Sequence, residues 1–92
     1  AAYADAVRAL VAQQRPVLTS GLRALGLRVI EGSANFLLFC APADLGQKLR
    51  QRGAVVRSCG NYPGLDATWY RTAVRTEAEN RQLLRLMKEV LE

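Results

Sequence analysis

The sequence predicts a two-layer α+β domain, a small sheet with helices packed on one face. Three observations point there. Helical periodicity occupies both ends of the chain, while short apolar runs of strand length fill the middle. Clusters of Gly, Asn, Pro and Asp separate those runs as turns do. Finally, 92 residues suffice for one domain with a modest core.

From Ala1 to about Leu25, residues Val7, Leu10, Val11, Leu18, Leu22 and Leu25 recur at helical spacing. Pro16 removes a backbone donor without breaking the phase, so a long kinked helix is expected, stopping at Gly26. Leu27 to Ile30 is a short extended segment, and Glu31-Gly32-Ser33 a turn. Asn35 to Cys40 is a nearly continuous apolar run, the pattern of a strand covered on both faces. Pro42 and Asp44 open a second helix that carries Leu45 and Leu49 and stops at Gly53. Ala54 to Arg57 is the next strand, and residues 58–67 form a loop. In the strand from Thr68 to Arg75, alternation puts Tyr70, Thr72 and Val74 on one face and Trp69, Arg71, Ala73 and Arg75 on the other. Thr76 and Glu79 make a capping box for a last helix whose core face is Leu83, Leu84, Met87, Val90 and Leu91.

Composition narrows the function classes. Half of the residues are apolar, which argues for a globular domain rather than disorder. No apolar run approaches the roughly 20 residues of a membrane span, and no secretory-type leader is visible, so no membrane partner is expected. The chain enters a helical pattern directly at Ala1, as expected of a piece of a longer protein. Net charge is +5, from eleven arginines and two lysines against eight acids. The arginines are spread along the chain and do not interleave with the six aromatics in a base-stacking pattern, which disfavours a nucleic-acid partner. Two cysteines and no histidine exclude a complete zinc site within the chain. Cys40 is expected as a small core residue, Cys59 as a free thiol in a loop, and both suit a reducing cytoplasm.

Arg57 and Arg71 are the candidate functional pair. Each closes or interrupts a short apolar strand, where a guanidinium is costly unless an anion meets it. A loop with Gly60, Asn61, Tyr62 and Gly64 lies between them. Two readings stand at this level: a two-point anion clamp, with planar donor forks matched to carboxylate or phosphate, or two surface arginines lying along their apolar stems. Asn35 is a turn cap or a ligand hydrogen-bonder. Tyr62 and Tyr70 are hydroxyl candidates for a phosphate, although the face of Tyr70 suits the core. Arg75, Lys48 and Lys88 have the setting of solvated or ion-paired residues. No catalytic histidine, nucleophile elbow or phosphate-cradling glycine loop is visible, so the chain is expected to bind an anion without catalysing a reaction itself.

Three stretches carry a family resemblance: residues Ser33 to Phe39; Leu49-Arg50-Gln51-Arg52-Gly53-Ala54-Val55-Val56-Arg57; and Tyr70 to Thr76 with Glu79-Asn80. Together they resemble the carboxy-terminal small domain of fold-type I pyridoxal-phosphate enzymes, in the branch of threonine-phosphate decarboxylase and histidinol-phosphate aminotransferase. The resemblance spans essentially the whole chain and about the last quarter of such an enzyme. It implies a mostly antiparallel sheet of three to four strands. By it, Arg71 falls where the substrate α-carboxylate is held, Arg57 where the substrate phosphate is held, and Asn35 near the substrate side. Residues 56–65 and 70–75 look more like the decarboxylase of cobalamin synthesis. A glycine usually stands at the position of Arg75 in the aminotransferase of histidine synthesis. The resemblance further implies pyridoxal phosphate in the full-length enzyme, a homodimeric cytoplasmic parent, and a phosphorylated amino-acid substrate. The Schiff-base lysine would lie in a large domain outside this chain, leaving the chain alone inactive and without cofactor. The competing class is a stand-alone arginine-rich module for RNA or another anion.

Overall fold

A computed structural model describes residues 2–31 and 35–92. The elements run α1 (Ala2–Ala24), β1 (Arg28–Glu31), β2 (Phe36–Cys40), α2 (Leu45–Gln51), β3 (Arg57–Ser58), β4 (Trp69–Ala73) and α3 (Glu77–Leu91). The strands form one sheet in the order β1-β2-β4-β3, antiparallel throughout. This is the two-layer α+β arrangement that the sequence predicts.

Alternation along β2 and β4 builds the layers. Leu37 pairs with Thr72 and Phe39 with Tyr70, and all four are buried beneath the helices. The Phe39 and Tyr70 rings stack at 5.7 Å. Leu18 and Leu22 of α1, Leu45 and Leu49 of α2, and Met87 of α3 complete the core. The Tyr70 hydroxyl reaches through this layer, donating to the Ala43 carbonyl at 2.7 Å and accepting from the Gly46 N–H at 3.2 Å. That places Tyr70 in the core.

Local rules account for the helix ends. Gly26 and Gly53 take positive φ, +86° and +87°, and the following N–H groups reach back five residues, Leu27 to Leu22 and Ala54 to Leu49. Both are Schellman-type stops, which favour glycine because it has no Cβ to clash. At α3, the Thr76 hydroxyl accepts from the Glu79 N–H at 3.3 Å and donates to its Oε1 at 2.8 Å. At α2 the expected cap differs: Asp44 occupies the N-cap position but makes no cap hydrogen bond, its carboxylate pairing with Lys48 at 3.0 Å.

Several expectations need correction. The Asn35–Cys40 strand is not covered on both faces: Leu37 and Phe39 are buried, while Phe36, Leu38 and Cys40 stay half-exposed on the outer face. The third strand is Arg57–Ser58 rather than Ala54–Arg57, because Ala54 is spent on the stop of α2 and ladder pairing begins only at Arg57. β4 is shorter than residues 68–75, since Thr68 bonds to Asp66 and Arg75 to Asn80. Cys59 is a free thiol as expected but a buried one, whereas Cys40, expected in the core, is half-buried with its Sγ 3.4 Å from Thr68 Oγ1. Val7 is exposed because the core-facing stripe of α1 begins at Val11. The Glu31–Ser33 turn lies, beyond Glu31, outside the described residues.

Two polar residues join α1 to α3. Asn80, fully buried, accepts from the Arg75 N–H at 3.1 Å and donates to the Arg75 carbonyl at 2.9 Å and to Gln14 Oε1 at 3.4 Å. Gly21 of α1 meets Leu84 so closely that a Cβ there would collide with its methyl group. Asn80→Ala should cost about 2–3 kcal/mol, the scale for leaving buried polar partners unmet. A lowered urea midpoint with an unchanged m-value would check it.

Candidate functional site

Register brings the two predicted arginines together. Arg57 of β3 stands directly opposite Arg71 of β4. Directly opposed residues of an antiparallel pair project to the same face. Arg71 in turn pairs with Leu38, and Leu38 with Ile30, so a row Ile30-Leu38-Arg71-Arg57 crosses the outer face of the sheet. Opposed like charges destabilise a ladder. Fourteen residues of sequence thus fold into one cross-strand pair of cations.

The intervening loop shapes what surrounds them. The Cys59 N–H bonds to the Trp69 carbonyl at 2.8 Å, and the Tyr62 N–H to the Cys59 carbonyl at 3.0 Å. Gly60 lies so near Ala67 that a Cβ would stand 3.3 Å from its Cα, which explains a small residue there. At the far end Asp66 accepts from the Thr68 N–H at 2.9 Å and from its hydroxyl. The Thr68 hydroxyl, then its backbone N–H, holds the Asp66 carboxyl below the usual range. The folded loop delivers the Tyr62 hydroxyl to Arg71 Nη1 at 3.3 Å.

Arg71 is therefore oriented from two sides, by Tyr62 and by the Phe36 ring, whose centroid is 5.4 Å from the guanidinium. It is half-buried, whereas Arg57 is exposed. Neither makes an ion pair with any described residue. Both line an open cleft of about 310 Å³ with Asn35, Phe36 and Arg75. Asn35 sits just before β2, its carbonyl accepting from the Val74 N–H at 2.9 Å. No aspartate or glutamate is among the cleft's described lining residues. Three guanidiniums around one cavity present planar donor forks of the geometry that matches carboxylate and phosphate.

All three predicted site residues, Arg57, Arg71 and Asn35, thus line one cleft. Sequence reasoning missed Arg75 as a member, although its alternation with Arg71 was the available signal. It also missed Phe36 as the platform for Arg71, since an apolar strand residue carries no mark of such a role. Arg75 pairs with Glu79 at 3.6 Å. The Thr76 hydroxyl first, and Arg75 more weakly, hold the Glu79 carboxyl below its ordinary range.

The sequence model of the family "Aminotransferase class I and II" matches residues 2–86. The chain belongs to the class I and II aminotransferase family. It is 43% identical over 68 residues to threonine-phosphate decarboxylase of Salmonella typhimurium, covering 71% of this chain and 19% of the relative. It is 44% identical over 79 residues to a histidinol-phosphate aminotransferase of Mycobacterium tuberculosis, covering 84% of this chain and 21% of that one. The crystal structure of the histidinol-phosphate aminotransferase from Clostridium acetobutylicum superposes with a TM-score of 0.81 at 30% identity, over 88% of this chain and 26% of that chain. The chain therefore spans about a fifth of the length of these curated relatives.

Inorganic phosphate should raise the protein's unfolding temperature, and Arg57→Gln or Arg71→Gln should flatten that rise. At a hundredfold excess over Kd the gain would be about 2.7 kcal/mol, read by thermal denaturation against chloride at matched ionic strength. A second expectation concerns pH. The folded Asp66 carboxyl titrates below its unfolded value. Its contribution is therefore present above about pH 4 and lost as pH falls through the folded value. The stability difference between the wild type and Asp66→Ala should shrink between pH 6 and pH 3, followed by denaturant titration at each pH.

Proposed function

We propose that this chain is the carboxy-terminal small domain of a pyridoxal-phosphate enzyme acting on a phosphorylated amino acid, most like threonine-phosphate decarboxylase. The observation carrying this reading is the opposed pair Arg57 and Arg71, without ion-pair partners among the described residues, in one cleft. Similarity to relatives whose names specify phosphorylated substrates supports the same class.

In this reading the arginines have unequal tasks. Arg71 takes the α-carboxylate: its guanidinium is oriented by Tyr62 and Phe36, so little freedom is lost when a planar anion docks on the fork. Arg57, exposed at the sheet edge, takes the phosphate, whose larger charge compensates for weaker orientation. Asn35 offers an amide at the head of β2 to the substrate between them. Holding both ends of the substrate fixes which α-bond faces the reacting group.

Pyridoxal phosphate would supply the electron sink when bound. The residues of this chain do not fit the task of holding it covalently. Lys48 is paired with Asp44, Lys88 is an exposed residue of α3, and neither lines the cleft. We assign the cofactor lysine to a large domain of the same full-length protein.

The full-length protein should release carbon dioxide from O-phosphothreonine. Preferential amino transfer from histidinol phosphate, compared by kcat/KM, would replace the decarboxylase reading with that of the aminotransferase. Arg71→Ala should lower kcat/KM by about 2–4 kcal/mol of transition-state binding, and an unchanged value would remove the carboxylate assignment. The 92-residue chain alone, mixed with pyridoxal phosphate and dialysed, should retain no cofactor absorbance.

A further inference from the structure

We infer that Arg75 is a third ligand for the substrate phosphate, parked on Glu79 at the rim of the cleft and released to the incoming anion. This rests on the reading of the cleft as a phosphorylated amino-acid site and adds a specificity-determining residue to it.

Charge balance calls for a third cation. A phosphate monoester carries about −1.5 to −2 at neutral pH and three acceptor oxygens. With an α-carboxylate added, the substrate's anionic groups bring close to three negative charges. Arg57 and Arg71 supply two positive charges, and Arg75 is the remaining cation among the described residues lining the cleft. One exposed guanidinium cannot satisfy three phosphate oxygens by itself.

The parked state is weak. The Arg75–Glu79 contact is a single 3.6 Å approach between side chains 62% and 51% exposed. Such pairs contribute little in water, so exchanging a carboxylate for a more highly charged phosphate is favourable. Glu79 is not left without a partner by the exchange, because its Oε1 keeps the Thr76 hydroxyl at 2.8 Å.

The backbone of Arg75 is anchored. Both backbone polar groups of Arg75 are held by the buried Asn80 amide, at 3.1 Å and 2.9 Å. The Cα is fixed while the exposed side chain can turn. It has room to do so, since Arg75 lines both the arginine cleft and an adjoining cleft of about 290 Å³ against α3.

The test measures binding of inorganic phosphate and of acetate to the full-length holoenzyme by calorimetry. Arg75→Gln should weaken phosphate about tenfold, the scale of one lost charge-assisted donor, and leave acetate unchanged. Glu79→Gln should strengthen phosphate by freeing Arg75; unchanged or weaker binding would overturn the parked state. Arg57→Gln is the control for the cleft itself. If it weakens phosphate while Arg75→Gln does not, the role of Arg75 is overturned and the phosphate reading stands. If neither variant changes phosphate binding, the phosphate reading fails and this inference falls with it. A parallel loss of phosphate, acetate and urea resistance in Arg75→Gln would assign Arg75 to structure alone, overturning the proposal.

Discussion

The register between β2 and β4 is the constraint on which the rest of the structure depends. It sets Leu37 against Thr72 and Phe39 against Tyr70, inward, and Leu38 against Arg71, outward. Because side chains alternate with a period of two, a slip of one residue would exchange those sets. Arg71 would then enter the apolar layer and Tyr70 would leave it. The burial of Phe39 and Tyr70 and the hydrogen bonds of the Tyr70 hydroxyl to Ala43 and to Gly46 of α2 oppose such a slip. Core packing and the orientation of the site are consequences of the same pairing.

The outer face shows what the domain gives up to carry its site. Opposed arginines repel across β3 and β4, and no described residue neutralises either through an ion pair. A cation that serves folding alone would gain from a partner. Here the orientation comes from neutral groups, a phenol hydroxyl and an aromatic face, which hold Arg71 in place without quenching its charge. No carboxylate is among the described residues lining the cleft, and Glu79 meets one of its arginines, Arg75, at 3.6 Å. This distribution leaves the positive charge of the opposed pair without an ion-pair partner among the described residues, on the edge strand β3 and its neighbour β4.

Much of the fold was legible in the sequence because local rules govern it. Gly26 and Gly53 mark helix stops that only a residue tolerant of positive φ adopts cheaply. Thr76 and Glu79 announce α3. Misreadings concentrate where a segment serves two structural demands. Ala54 looks like strand but closes α2, and Thr68 looks like strand but completes the Asp66 turn. The run Phe36–Cys40 is apolar on both sides although the helices cover only one, so hydrophobicity overstated its burial. Buried polar residues were invisible for a related reason. Gln14 and Asn80 look like ordinary helix-surface residues until the packing of α1 on α3 makes them partners.

Spacing and residue chemistry account for the element order, the layer arrangement and the glycine helix stops, and they single out Arg57 and Arg71 as a pair, whereas the substrate-side places of Arg57, Arg71 and Asn35 rest on the family resemblance. Tertiary structure alone decided that the two arginines stand opposite one another, that Tyr62 and Phe36 orient one of them, and that Arg75 joins the same cleft. The physical reason is that periodicity specifies which face a side chain occupies, whereas its neighbours across the sheet depend on strand order and register. Those are settled by packing among residues far apart in the chain.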